Sequence, residues 1–463
     1  MWHGCFSGTI FYCEYFMQIS VIGLGKLGSP LAAVLAHGGH EVIGVDLNLE
    51  FVRKINEGIA PVQEPGLQDL LTQNKSRIRA TSSCELAVLN SAVTFVIVPT
   101  PSQENGFFSN RYLIDAIRQL GQALLKKSSY HLVVITSTVM PGSIQGEIRK
   151  ALENYRPVGT DLGLCYHPEF IALGSVIKNM LFPDMILIGE SDQKAGDLLE
   201  EICMSICADK KAVCRMNIVN AEITKIAINT FVTTKISYAN MISDICQQID
   251  GADSDVVTCA MGLDSRIGPK YLKGAVGFGG PCFPRDNVAL EALADDCGAR
   301  ADIAHASQAI NHYQMIRLSA LVEKYAPNHQ ISVLGLAYKT GTSVIDESQG
   351  IHIANHLQNL GYSVAVYDPL ALVEAQKELL PGIYIASSVQ ECVNRSETIL
   401  IMIPEMAFKE MVLLKGPKKV IIDCWRILPP EFSEYCNLVY LGRKNNHLLE
   451  MAESLCGQGA YDV

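Results

Sequence analysis

The densest glycine run in the chain, Val276-Gly-Phe-Gly-Gly-Pro-Cys-Phe-Pro-Arg-Asp286, holds one cysteine among residues that let backbone and substrate approach closely. A thiol in such a loop is a candidate nucleophile. Beside a nicotinamide it has a specific use: it captures an aldehyde as a thiohemiacetal, a second hydride leaves, and the resulting thioester is hydrolysed to an acid. Cys282 is one of fifteen cysteines, however, and taken alone it reads better as a buried structural thiol. A second constellation is Gly23-Leu24-Gly25-Lys26-Leu27-Gly28, which follows a β-branched run and opens a helical stretch, SPLAAVLAHGG. Asp46 ends the next β-branched run eighteen residues after Gly28. This context predicts a dinucleotide site, with the pyrophosphate at the helix N-terminus and the Asp46 carboxylate accepting both adenosine-ribose hydroxyls. A carboxylate there repels a 2'-phosphate, so NAD is expected over NADP. The alternative is a similar turn that binds another nucleotide.

Elements that position these residues follow from the apolar pattern. Short β-branched runs at 19–22, 42–45, 93–98, 132–136 and 185–188 alternate with helix-length segments, which predicts a parallel α/β sheet. From about Asn217 the texture becomes one long helical pattern, AEITKIAINTFVTTKISYANMISDICQQI, apolar on more than one face. Strand and helix then alternate again from Gln330 and repeat the opening: VIGLGKLG with GHEVIGVD is answered by VLGLAYKT with GYSVAVYD. The second copy has Ala337 where the next glycine would sit and about ten extra residues between Tyr338 and Ser348, so it is expected to be a nucleotide-like site and not a second NAD site. The fold class is therefore α/β, with two Rossmann-like parallel-sheet domains joined by a long central helix and a helical middle domain. The expected boundaries are 1–16 for an N-terminal extension, 17–213 for the NAD-binding domain, 214–326 for the central helical domain and 327–463 for the C-terminal Rossmann-like domain. Met17, at the head of the first strand, is the expected natural start.

Composition narrows the class. With 463 residues, 49% apolar and 18% charged, the chain buries several cores, about three domains by length. Disorder, collagen and coiled coil are excluded. The net charge of -11 and the lack of any basic run longer than two residues argue against a nucleic-acid surface. The cysteines show no metal-ligand spacing, no metal is expected, and they read as mostly buried, reduced thiols. Neither a signal peptide nor a membrane span is evident, so a cytoplasmic location is expected.

Ten motifs run along the chain in the order GLGKLG with Asp46, PVQEPGL, VPTPS, STVMPG, HPEF, AEITKIAIN, RIG, GFGGPCFPRD, LGLAYKTGT and YDP. In that order they resemble the UDP-glucose/GDP-mannose dehydrogenase family, from Met17 to about Arg426. The resemblance implies an NAD-dependent, four-electron oxidation of a nucleotide sugar's C6 alcohol to a carboxylate, the sugar being of the UDP-hexose type. It implies that Cys282 forms the thioester, that Lys225 and Asn229 stabilise an oxyanion, that Asp286 with Lys225 and Thr138 positions a water, and that Glu169 activates water for hydrolysis. Lys225 and Asn229 are four apart and share a helix face; unaided, they read as a solvated lysine and a helix-face amide. Implied cofactor contacts are Gly23, Gly25, Lys26, Leu27, Gly28, Asp46, Thr100, Thr138 and Arg285. Implied substrate contacts are Glu169, Phe170, Lys225, Asn229, Arg266, Lys273, Phe278, Gly279, Lys339 and Arg426, with Arg266 reaching a neighbouring subunit of a homodimer or higher assembly.

Three departures stand out. Leu173 occupies the place of a second glutamate after HPEF, which predicts a more apolar pocket. Arg285 replaces a lysine and keeps the charge. Asp346 stands where an arginine helps hold the cofactor phosphates, so cofactor affinity is expected to differ. UDP-glucose, UDP-N-acetylated hexoses and GDP-mannose remain open as substrates. A single-step hydroxy-acid dehydrogenase and a sugar-nucleotide-binding protein with degraded catalysis are the alternatives, and the three readings differ in yielding two, one or no NADH per substrate.

Overall fold

The structure, a computed structural model, describes residues 16–171, 173–209, 211–411 and 418–444. The expected N-terminal extension, residues 1–16, lies outside the described residues except for Phe16. The chain divides into two units, residues 1–227 and 228–463.

In the first unit, eight strands form one sheet: β1 (Gln18–Ile22), β2 (Glu41–Val45), β3 (Ile78–Thr81), β4 (Val93–Val96), β5 (His131–Ile135), β6 (Leu162–Tyr166), β7 (Ile186–Glu190) and β8 (Val213–Asn217). Their order is β3-β2-β1-β4-β5-β6-β7-β8. All pairs are parallel except β6 with β7. Strand alternation sends Leu132 and Val134 into one core and Val133 and Ile135 into another, so helices cover both faces. The order reverses at β1, which pairs with β2 on one side and β4 on the other. That is the switch point where open α/β sheets take ligands. β8 begins at Val213, where the sequence pattern placed the first domain boundary, and the sheet runs on to Asn217.

The central helix, Ile218–Gln248, is 31 residues long. In the second unit it is followed by helices Ser254–Leu263, Phe283–Asp296 and Asp302–Tyr325 and by a six-stranded, all-parallel sheet. This sheet contains β9 (Gln330–Leu334), β10 (Ser363–Tyr367), β11 (Tyr384–Ile385), β12 (Thr398–Ile401), β13 (Val420–Asp423) and β14 (Asn437–Tyr440), in the order β11-β10-β9-β12-β13-β14. The repeat seen in the sequence is thus a repeat of topology. A Cβ at Gly28 would lie 1.8 Å from the Gly23 carbonyl oxygen, and one at Gly350 would lie 2.0 Å from that of Gly335, so the same turn closes both first helices. Among the described residues, no helix is long and apolar enough to cross a membrane.

Candidate active site

The dinucleotide turn is built by close backbone packing. Gly23 has φ +97, and a Cβ there would lie 2.2 Å from the Ile97 carbonyl oxygen. Gly25 differs: among the described residues nothing lies within 4 Å of where its Cβ would be, and its φ is not left-handed. The turn therefore needs glycine at 23 and 28 for packing and leaves open space beside residue 25, at the head of helix Gly28–His37. Leu27 is half-buried as the N-cap residue and Lys26 is exposed. Asp46 Oδ2 accepts the Leu24 N–H at 2.7 Å and Oδ1 accepts the Asn48 N–H at 2.7 Å. A carboxylate offers about four lone-pair sites, so two sugar hydroxyls can still be accepted. The equivalent Asp368 is buried and takes four backbone N–H groups, from Leu336, Ala337, Leu370 and Ala371. It is saturated, which agrees with a second half that is not a dinucleotide site. Leu47, 81% exposed beside Asp46, offers an apolar surface for a base and was not singled out by pattern.

Loops at the carboxyl ends of β4 and β5 are stapled together. Thr100 Oγ1 donates to the Thr138 carbonyl at 2.6 Å, and Ser137 Oγ both accepts from and donates to the Val98 backbone. Glu222, buried on the central helix, accepts the N–H groups of Gly142 at 2.6 Å and Ile144 at 2.9 Å, and burial pushes its carboxyl up to about 7. The residue was missed because its partners lie about eighty positions away.

The HPEF segment follows β6. Lys225 Nζ, 7% exposed, donates to the Glu169 carbonyl at 2.7 Å and stands 4.8 Å from the Phe170 ring centroid. The Glu169 carboxyl is raised by burial, with His167 and Lys225 pulling the other way. His167 Nδ1 must carry its proton because its partner is the Leu187 carbonyl at 2.9 Å; Nε2 then faces the Cys203 thiol at 3.6 Å and Glu169 Oε1 at 3.8 Å. Leu173, half-buried, packs against the core of the first unit.

In the second unit, exposure and helix position single out one thiol. Of the eleven described cysteines that are not bridged, seven are buried and only Cys282 and Cys297 are exposed; Cys259 is disulfide-bonded, a departure from the reduced thiols expected throughout. Burial pushes Cys84 and Cys436 up to about 11 and Cys392 to about 12. Cys282 and Cys297 cap opposite ends of one helix, Phe283–Asp296. Cys282 sits at the positive end, which favours an anion; Cys297 sits at the negative end, with its Sγ–H on the Leu293 carbonyl. Asp286, 2% exposed in the first turn, accepts from Asn229 Nδ2 at 2.6 Å, while Asn287 is bonded to Thr233. These pairs dock the Cys282 helix onto the central helix. Arg285 Nε lies 3.9 Å from Asp286 Oδ1.

The glycines before Cys282 serve packing between chain segments. A Cβ at Gly279 would lie 2.3 Å from the Glu347 carbonyl oxygen, and one at Gly280 2.6 Å from the Tyr338 ring. Gly280 N–H donates to the Asp346 carbonyl at 2.9 Å, and Phe278, buried, is clamped through its backbone by Asn311 and Gln349. The ten-residue insertion of the second half thus grips the Cys282 loop. Asp346 acts here through its backbone, and its side chain is exposed.

Two of the five implied substrate cations, Arg426 and Lys273, are brought together on one carboxylate. Arg426 Nη1 binds Asp253 Oδ1 at 2.6 Å and lies 3.4 Å from Asp255 Oδ2, which also binds Lys273 Nζ. Burial would raise the Asp253 carboxyl, but Arg426 and Arg443 hold it below the usual range. Neither aspartate was foreseen. Lys339 is half-buried, 6.0 Å from the Tyr338 ring centroid. Arg266 is exposed and bound to its neighbour Asp264. Tyr271, Glu347 and Arg426 have φ of 64, 49 and 55, backbone strain of the kind that clusters at functional sites.

Models of three domains of the UDP-glucose/GDP-mannose dehydrogenase family match this chain: the NAD binding domain at residues 17–207, the central domain at 219–313 and the UDP binding domain at 332–430. The UDP-glucose 6-dehydrogenase AglM of Haloferax volcanii is 35% identical, covering 83% of this chain and 90% of that one. The GDP-mannose 6-dehydrogenase of Pseudomonas aeruginosa is 32% identical over 89% of this chain and 97% of its own length. The solved UDP-glucose dehydrogenase of Pyrobaculum islandicum superimposes with a TM-score of 0.83 at 30% identity, covering 92% of this chain and 97% of that one.

Proposed function

Because the chain belongs to the UDP-glucose/GDP-mannose dehydrogenase family, whose enzymes carry out NAD-dependent, four-electron oxidation at C6 of a nucleotide sugar, we propose that its substrate is a UDP-linked hexose and that Cys282 carries the substrate carbon between the two oxidations. The C-terminal match to a UDP binding domain supports the base. The observation that carries the role of Cys282 is its exposure at a helix N-terminus, one turn from the Asp286 and Asn229 pair. NAD, when bound at Gly25 and Asp46, supplies the hydride acceptor.

The chain's own residues supply the rest. Asp286, oriented by Asn229, takes the alcohol proton through a water. The Cys282 thiolate adds to the aldehyde carbon, a C–S bond forms, and the carbonyl pair moves to oxygen, where the Lys225 ammonium and Asn229 amide stabilise it. After the second oxidation the carbon is a thioester. Glu169, raised by burial, accepts a proton from the attacking water; the C–S bond breaks, the acid leaves, and the helix N-terminus receives the thiolate. Thr100 and Thr138 shape the cofactor-proximal loops. Arg426, Lys273, Lys339 and Phe278 with Gly279 serve the nucleotide sugar, and Arg285 serves the cofactor.

The test is to incubate the purified chain with NAD and a panel of UDP- and GDP-sugars, measuring NADH and acid together, with Cys282→Ala and Cys282→Ser alongside. Two NADH per acid from a UDP-sugar, lost in both variants, is the expected result. One NADH per product, or turnover that survives Cys282→Ala, overturns it.

The central helix exposes Phe231, Tyr238 and Ile245, seven residues apart, with Met241 beside them and Ile249 just past its end, between 37% and 66% exposed. An apolar stripe of this spacing favours a second helix, so the reading includes a homodimer through this face. A cytoplasmic location follows from the same reading, since NAD and nucleotide sugars are held there.

A further inference from the structure

The PVQEPGL segment, Pro61 to Leu67, takes no part in the chemistry above, yet it holds a buried carboxylate. Glu64 is 9% exposed; its Oε2 accepts the Gly174 N–H at 3.0 Å and its Oε1 accepts the Val176 N–H at 2.7 Å. Gly174 has φ +84, and Ser175, the N-cap of helix Val176–Leu181, makes no side-chain cap bond of its own. The first amide of that helix, at Val176, would be orphaned without an outside acceptor, and Gly174 lies just before the cap. Glu64 therefore supplies from about 110 residues away what the local sequence lacks.

What the clasp holds is the downstream end of the Glu169 segment. Upstream, His167 N–H is bonded to the Ile135 carbonyl, and Lys225 grips the Glu169 carbonyl itself. Downstream, the Gly174 and Val176 amides are tied through Glu64. The device is used twice in this unit, because Glu222 holds the Gly142 and Ile144 amides beyond Thr138 in the same way.

We propose that Glu64 is a positioning residue for Glu169, acting through the Gly174 and Val176 amides, and that its loss slows thioester hydrolysis more than it weakens substrate binding. This rests on the role of Glu169 as the base for hydrolysis. Glu64→Gln keeps one acceptor but turns an NH2 group toward the second amide; Glu64→Asp keeps the charge but is one methylene short.

The experiment compares full-length wild type, Glu64→Gln, Glu64→Asp and Glu169→Gln, each given NAD and the accepted UDP-sugar. It measures kcat, KM and, by intact-protein mass, the fraction carrying an acyl adduct on Cys282. For Glu64→Gln the expected result is a kcat at least about tenfold lower with KM within about threefold, as for loss of an interaction felt after binding. An adduct should accumulate as it does in Glu169→Gln, and Glu64→Asp should recover part of kcat. If Glu64→Gln melts well below wild type, Glu64→Asp carries the test by the same adduct measurement. The proposal is overturned if Glu169→Gln accumulates adduct while neither Glu64 variant does, or if kcat of the Glu64 variants stays within about twofold of wild type. If wild type yields two NADH per acid but Glu169→Gln shows no adduct, the reading of Glu169 fails and takes this one with it.

Discussion

Gly25→Ala separates the two uses of glycine in the dinucleotide turn. At Gly28 a Cβ would stand 1.8 Å from the Gly23 carbonyl oxygen, a backbone atom that cannot yield; at Gly25 it would meet nothing within 4 Å. Gly25 also lacks a left-handed φ, so alanine there costs no strain, and the stiffer unfolded chain should stabilise the protein by about 0.4–1 kcal/mol. On the proposed cofactor placement, the same methyl group projects into the open space where the pyrophosphate would meet the helix N-terminus. Displacing one charge-assisted hydrogen bond costs about 1.5–3 kcal/mol, which is about a 10- to 150-fold rise in Kd. Calorimetric titration of NAD and thermal denaturation, run on Gly25→Ala and Gly28→Ala together, give the answer. Gly25→Ala should keep or raise its melting temperature and lose NAD, whereas Gly28→Ala should lose about 1–3 kcal/mol of stability from overpacking alone. NAD affinity within about twofold of wild type in Gly25→Ala would refute the assignment of that open space to the cofactor.

Asp46→Asn keeps the shape of the acceptor but removes its charge, so the preference for NAD over NADP should fall by about tenfold or more, read as the ratio of kcat/KM values; an unchanged ratio would place discrimination elsewhere. Glu222 is raised from 4.5 to about 7 by burial, so the folded state binds its proton more tightly than the unfolded one. Stability from this group is greatest below pH 4.5 and declines as pH rises to about 7. Relative to Glu222→Gln, wild type should lose on the order of 3 kcal/mol across that window, and parallel urea-unfolding curves at the two ends would contradict this. Tyr238→Glu, in the middle of the exposed stripe of the central helix, should halve the mass seen by light scattering without lowering helix content by circular dichroism; an unchanged mass would move the interface to another face.

Much of this protein was legible in its sequence because the responsible contacts are local. The turn from Gly23 to Gly28 with Asp46, the alternation of strand and helix, the long central helix and the second Rossmann-like half are set by neighbours in the chain, and the topology of both sheets follows them. The roles given to Cys282, Asp286, Asn229, Glu169 and Lys225 came from the family resemblance and not from residue type, which taken alone favoured a structural thiol, a solvated lysine and a helix-face amide. Type alone did not separate Cys282 from the buried thiols, since exposure and placement at one end or the other of helix Phe283–Asp296 are properties of packing. Nor did it show that Gly279 and Gly280 answer to the insertion around Tyr338 and Glu347, that Arg426 and Lys273 share the Asp255 carboxylate, or that Asp368 is saturated while Asp46 is not. Glu64 and Glu222 were invisible for the same reason. Each satisfies backbone amides that its own stretch of sequence does not contain, and such a debt of unpaired N–H groups exists only once distant segments have been folded out of water.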